Sequence, residues 1–351
     1  MSLKLQARRL SAPDDIQEFN NWAEAQGWSD GLPLIPPTPE RVAQMFAATD
    51  HGPNDVIGIV PPSNDQATVE VIAVNAVMAG CRPEFFPVVL AAVDAICDPV
   101  FGLYPMLTTT NPSAPALMIN GPIARKLAVN GAGLAFGHGS RANATIGRAI
   151  RLVCLNIGGA KPRVVDKKTQ GHPGHYTFCF AENEAESPWA PFHTARGFSA
   201  EDSTVTAFAP YTLINVLDAT SQNARDLLRV FIGALAQPGS NNVLVDGGPL
   251  IALCPEHADV LEKDGFDKIL LAKYLYEHAR VPISAFSQLN IEQYLIKRRP
   301  RWAYSEGADA RITCAPGPEA FHFAVVGGPG SHSVVLPCFT QSKPVTRRIA
   351  G

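Results

Sequence analysis

Hydrophobic positions recur along this chain with two different periods. Between about Asp14 and Gln26, Ile16, Phe19 and Trp22 fall three apart on one helical face, and Gly27 ends the run. From Ala67 onward Val69, Ile72, Ala73 and Val77 repeat at three and four. Gly80 stops that helix, and Pro83-Glu84 opens a second one that runs through Cys97 to Asp98-Pro99. The pair predicts a helical hairpin laid against a sheet. Ala116-Leu117-Met118-Ile119-Asn120 is instead an unbroken apolar run, which predicts a strand buried on both faces. Gly121-Pro122 opens a short helix to Val129, and Asn130-Gly131 turns the chain. Gly137-His138-Gly139-Ser140 then leads into a helix whose apolar positions are Ile146, Ile150, Val153, Cys154 and Ile157.

The order is repeated further on. Ala224–Ala236 reads as a helix, broken by Gly239-Ser240-Asn241-Asn242, and 249–253 as a strand. Cys254-Pro255 starts a helix to Lys263, Asp264-Gly265 turns, and Asp267–Arg280 is a further helix. Pro122 and Pro255 are 133 residues apart, and the Asn130-Gly131 and Asp264-Gly265 turns are 134 apart. This spacing predicts a diverged internal duplication with a cleft between its halves, where ligands commonly bind. The expected fold is α/β or α+β, with two related helix–strand–helix halves, 61–215 and 216–351, forming a pseudo-symmetric core. Phe321–Val326 and Val334–Leu336 are strands flanking a glycine-rich turn in the second half.

Residues 1–60 form a helical and proline-rich arm. Trp28-Ser29-Asp30-Gly31-Leu32-Pro33 and Pro36-Pro37-Thr38-Pro39 enforce turns and extended backbone, with Thr38 capping a helix that begins at proline. Such an arm packs across the parent domain or another subunit, or is a surface extension. The segment Gly27–Pro33 with Pro36-Pro37-Thr38 resembles the start of an uncharacterised bacterial family. Some relatives in that family carry a selenocysteine-Gly-Ser-Cys motif near the C-terminus. The similar place here is Gly327-Gly328-Pro329-Gly330-Ser331-His332-Ser333, where Pro329 stands for the selenocysteine and His332 for the cysteine. The resemblance implies no established activity, and both redox atoms are replaced.

Composition narrows the classes of function. A charged content of 17% is low for 351 residues, which implies hidden surface and predicts a homo-oligomer. A net charge of −3 gives no electrostatic footprint for nucleic acid. The first fifteen residues have no apolar signal run, and the most apolar window, Phe85–Cys97, is too short to span a bilayer. The seven cysteines are scattered singly, without a CxxC pair, as expected of reduced thiols in the cytoplasm. Gly131–Gly137 lacks the strand and the spacing of a dinucleotide loop, and neither a P-loop nor a nucleophile elbow is present. No nucleotide cofactor is expected, and a divalent metal is left open.

The candidate chemistry lies in three places. Arg141 and Arg148 are two helical turns apart on one face of an apolar helix, with Arg151 one turn on, and such guanidinium groups need a carboxylate of the protein or of a ligand. A ligand is the expectation, bound by Ser140, Arg141, Asn143 and Arg148 at the start of that helix. The turn Gly328–Ser333 is expected to offer an anion-binding nest, with Gly328, Gly330 and Ser333 as binding groups and Ser331, His332 and His138 as catalytic ones. The loop cluster His172, His175, Glu182, Glu186 and His193 contains metal-ligand types without helical metal-site spacing. Asp202-Ser203-Thr204 reads as a helix cap or turn. The resulting expectation is an enzyme that acts on a small carboxylate-bearing metabolite by hydrolysis or lyase/hydratase chemistry. Its rivals are a thiol/redox enzyme using Cys338 or Cys179, and a non-catalytic oligomeric ligand-binding protein.

Overall fold

In the computed structural model, which describes residues 5–298 and 309–350, the predicted helices form near their expected bounds, and Leu103–Leu107 and Asn241–Val245 are short helices that the pattern does not predict. The helices are α1 (Ile16–Ala25), α2 (Pro39–Met45), α3 (Val69–Ala79), α4 (Phe86–Cys97), α5 (Leu103–Leu107), α6 (Pro122–Lys126) and α7 (Arg141–Asn156) in the first part of the chain. The second part holds α8 (Ala224–Leu235), α9 (Asn241–Val245), α10 (Pro255–Lys263) and α11 (Lys268–His278). Caps set these limits. Asp15, Thr38, Thr68, Ser140, Asn223 and Asp267 each accept a first-turn N–H, and Gly80 ends α3 in the left-handed region.

The strands are β1 (Val56–Val60), β2 (Asp65–Thr68), β3 (Ala116–Asn120), β4 (Cys179–Ala181), β5 (Thr204–Phe208), β6 (Ile214–Leu217), β7 (Leu250–Leu253), β8 (Arg280–Pro282), β9 (Arg311–Thr313), β10 (His322–Val325), β11 (His332–Leu336) and β12 (Val345–Arg348). Two small two-stranded sheets, β1–β2 and β8–β9, accompany two four-stranded sheets. Thr204 therefore opens a strand and not a helix, while Asp202 before it accepts the Ser199 N–H in a turn.

Side-chain alternation explains how the sheets stack. On β3, Ala116 and Met118 join Phe180, Phe208, Leu250, Ala252, Ala324 and Leu336 in one apolar layer between the sheets. Leu117 and Ile119 point the other way, into a core with α3, α4 and α7. Ile251, Val325 and Val335 likewise turn to a core with α8, α10 and α11. Every strand that supplies both layers is thus buried on two faces, which is why β3 and β7 read as continuous apolar runs. The order is helices, sheet, sheet, helices.

The two sheets share one pairing pattern, β4-β3-β5-β12 and β10-β7-β11-β6. In each the first pair is parallel and the next two pairs are antiparallel. The fourth strand is exchanged: β6 follows β5 in the chain but pairs with β11, and β12 follows β11 but pairs with β5. The connections that cross touch at Pro210 and Cys338. The boundary expected at 215/216 falls inside β6. The correspondence between halves is one of pairing order.

The C-terminal ends of β4 and β10 meet at one rim. Asn183 N–H donates to Val325 O at 2.8 Å, and Gly327 N–H donates to Gly131 O at 2.8 Å. The two glycine-rich loops lie back to back there, and a Cβ on Gly328 would stand 3.0 Å from Gly133 Cα. Close approach also governs Gly147 in α7, where an added Cβ would meet Thr177 Oγ1 and lie 2.6 Å from the Phe178 amide nitrogen. Alanine at a helix interior ordinarily gains up to about 1 kcal/mol over glycine. At position 147 the sign reverses, because the obstruction ahead of β4 includes backbone. Gly147→Ala is expected to lower stability by about 1–3 kcal/mol, read from the urea midpoint. An unchanged or raised midpoint would show that the helix can move outward at no cost.

Candidate functional site

The ligand expected for Arg148 is replaced by the protein's own arm. Asp30 takes Arg148 in a bidentate pair, Nε to Oδ2 and Nη2 to Oδ1, both at 2.8 Å. Leu32 O and Pro33 O accept from the same guanidinium at 3.0 and 2.9 Å. Arg141 donates to Gly80 O through Nε and Nη2, and Arg151 lies 3.4 Å from Asp166. These arginines fasten α7 to its surroundings, and the anion they required is internal for Arg148 and Arg151.

The rest of the expected constellation is occupied in the same way. Asn143 Oδ1 accepts from Asn130 N and Ser140 Oγ, both at 2.8 Å, while its Nδ2 donates to Asn130 O and Ala135 O. Ser140 and Asn143 therefore shape the loop before α7. At the later turn one amide of the expected nest, Gly330 N–H, donates to Glu256 Oε1 at 2.6 Å. Ser333 is buried and 2.7 Å from His257 Nδ1, and its Oγ accepts the Cys254 N–H. His332 is exposed beside Asn215 Oδ1 at 3.1 Å, Ser331 O accepts the Asp218 N–H, and His138 is exposed on its loop.

The five metal candidates sort into different surroundings. His172 and His175 rings lie 4.6 Å apart. Glu186 Oε2 accepts from Asn183, and His193 Nε2 is 2.8 Å from Ser199 O. Glu182 Oε2 accepts from Asn120 Nδ2 and Phe192 N. Among the described residues no three His, Cys, Asp or Glu side chains come together as a metal site. Burial pushes the Cys338 thiol up to about 12 and raises that of Cys179 as well, which holds both protonated at neutral pH.

A different cleft does lie between the halves. It has a volume of about 560 Å³, within the usual range for small-ligand sites. Phe192 and Arg196 come from the 3₁₀ turn that precedes β5; Lys268, Ile269, Ala272 and Lys273 form one face of α11. Phe321, His322 and Phe323 enter from the start of β10, with Glu319 at the margin. The guanidinium of Arg196 lies over the Phe192 ring at 4.7 Å and donates to Pro344 O at 3.3 Å. No carboxylate pairs with it among the described residues, and burial lowers its pKa. Lys268 Nζ donates to Ala190 O at 2.9 Å and stands 3.6 Å from Glu182 Oε1. Burial raises the pKa of the Glu182 carboxyl, and Lys268 opposes that rise.

Three cations thus face one exposed carboxylate across aromatic walls. No family model matches the chain, and no curated protein or solved structure matches it. Arg196 carries no sequence signal, since a lone arginine before Gly197 looks like any surface residue. His322 had one, because it interrupts an apolar strand at the alternation of Ala324 and points to the layer between the sheets.

His322 sits 6.1 Å from the Phe192 ring and 6.0 Å from the Phe208 ring. Burial, then Arg196, pushes its pKa from an ordinary 6.5 to about 3, so the imidazole is neutral in the fold. The unfolded chain accepts that proton first as pH falls. The contribution is therefore retained above pH 6.5 and lost progressively from there toward 3. His322→Gln is expected to lose less of its urea midpoint between pH 6.5 and 4 than the unaltered protein. Parallel declines would show that His322 does not carry this pH dependence.

Proposed function

We propose that the protein binds a small metabolite carrying a carboxylate and an apolar body in the cleft between its halves. Arg196 is the anchor, and its half-buried guanidinium without a carboxylate partner is the observation that carries the reading. A desolvated guanidinium gains most from a charge-assisted, bidentate partner. Lys268 and Lys273 add positive field, while Phe192, Phe321 and Phe323 suit the apolar part of the ligand. Hydrolysis or lyase/hydratase chemistry remains the proposed reaction class, now with different groups. His322 supplies a neutral imidazole, and the Glu182–Lys268 pair is the set through which a proton would move, in place of His138 and His332. No helix among the described residues is long and apolar enough to cross a membrane. The cytoplasm is the compartment we propose, where the seven free thiols stay reduced.

The test is a thermal-shift screen of small aliphatic and aromatic carboxylates, followed by calorimetric titration of the best one. A saturable rise in melting temperature that Arg196→Ala abolishes is the expected result. A rise that Arg196→Ala leaves intact, or no response to any carboxylate, would overturn the reading.

A further inference from the structure

A second, small cavity lies beside α7, in the region of the two paired histidines. It is about 10 Å³, room for one water-sized particle, and is lined by Ser113, Arg151, Lys168 and His175 with Leu107 and Ile150. The charges around it do not balance. Among the described residues Asp166 is the only carboxylate in the cluster; Lys168 Nζ donates to its Oδ1 at 2.8 Å and Arg151 Nη1 to its Oδ2 at 3.4 Å. The side chains of Lys168, Asp166 and Arg151 are 6%, 7% and 13% exposed, so solvent screens them poorly. One positive charge is left over in a desolvated place, and burial accordingly lowers the Lys168 pKa.

Two neutral groups of the same cavity also lack partners. Ser113 is 1% exposed, and its Oγ makes no hydrogen bond. His175 Nε2 is buried and makes none either. His175 Nδ1 lies 3.1 Å from the His172 amide nitrogen and 3.0 Å from the His172 carbonyl oxygen. The cavity wall offers two cations and the Ser113 hydroxyl, with apolar surface opposite. Water would satisfy the donors but would leave the surplus charge. Sulfate, phosphate and carboxylates exceed the available room.

We propose that this cavity binds a monovalent anion of halide size, chloride in practice, held by Lys168, Arg151 and Ser113. The site is separate from the cleft at Arg196, and its test does not depend on any organic ligand. The melting temperature is measured as sodium chloride replaces sodium gluconate at constant ionic strength. A saturable rise of about 2 °C is expected, reproduced by bromide and not by sulfate. Broadening of the free-chloride nuclear resonance by the protein, reversed by bromide, is the direct readout.

Lys168→Met leaves Arg151 and Asp166 balanced, and both signals should vanish. Ser113→Ala keeps every charge and should weaken chloride binding several-fold, which provides the test if Lys168→Met does not fold. Equal melting temperatures in gluconate and chloride would overturn the proposal. So would a chloride-specific rise that both variants retain in full.

Discussion

Replacing Arg148 with alanine lowers stability by about 3–5 kcal/mol, the cost of leaving one member of a buried ion pair alone. The side chains of Arg148 and Asp30 are 12% and 3% exposed, so water reaches little of the orphaned carboxylate. The variant also loses the donors that hold Leu32 O and Pro33 O, which leaves the 3.3 Å bond from Asn156 Nδ2 to Trp28 O between α7 and the arm. Asp30→Ala should cost a similar amount. The double variant should fall little further than either single one, because both remove the same interaction. Urea midpoints measure the three losses, and limited proteolysis within 27–38 should accelerate in step with them. An Arg148→Ala protein within about 0.5 kcal/mol of the original would mean that this guanidinium is not the fastening of the arm.

Arg196→Ala should show the opposite balance. Its own structural partners are one carbonyl at 3.3 Å and one aromatic face at 4.7 Å. Their removal should change stability by less than about 1 kcal/mol. Loss of a charge-assisted contact with a ligand carboxylate should cost about 1.5–3 kcal/mol, or roughly 10–100-fold in Kd. Arg196→Lys keeps the charge but not the planar fork, and should fall between the two. Calorimetric titration with the best carboxylate from the screen gives the ratio. Equal affinity in Arg196→Ala would remove the anchor from the proposed site. A large loss of stability without ligand would make Arg196 a structural residue.

The contrast between these two arginines shows where sequence reasoning reached its end. An arginine on an apolar helix face does need a counter-charge, and Arg148 has one. The partner is Asp30, 118 residues earlier in the chain, and no local pattern joins the two. Arg196 has the unmet need, yet nothing in its neighbours in sequence sets it apart. The same limit applies to β12, whose residues Val345-Thr346-Arg347-Arg348 have no apolar run. It is a strand because it pairs with β5 and because Arg347 reaches Asp94 at 3.0 Å and Asp98. Where the glycines of the later turn suggest an anion-binding nest, the fold sets Gly328 against Gly133 of the other glycine loop.

Helix limits, the doubly buried strands β3 and β7, and the mixed α and β character follow from terms that act within a few residues. Those terms are cap hydrogen bonds, proline's fixed dihedral, the left-handed tolerance of glycine, and side-chain period. The exchange of β6 and β12 between sheets, the pairing of Arg148 with Asp30 and the cleft at Arg196 were decided only when distant segments packed. Backbone pairing and charge compensation are indifferent to sequence separation, so the chain can satisfy them with whichever partner the layers bring alongside.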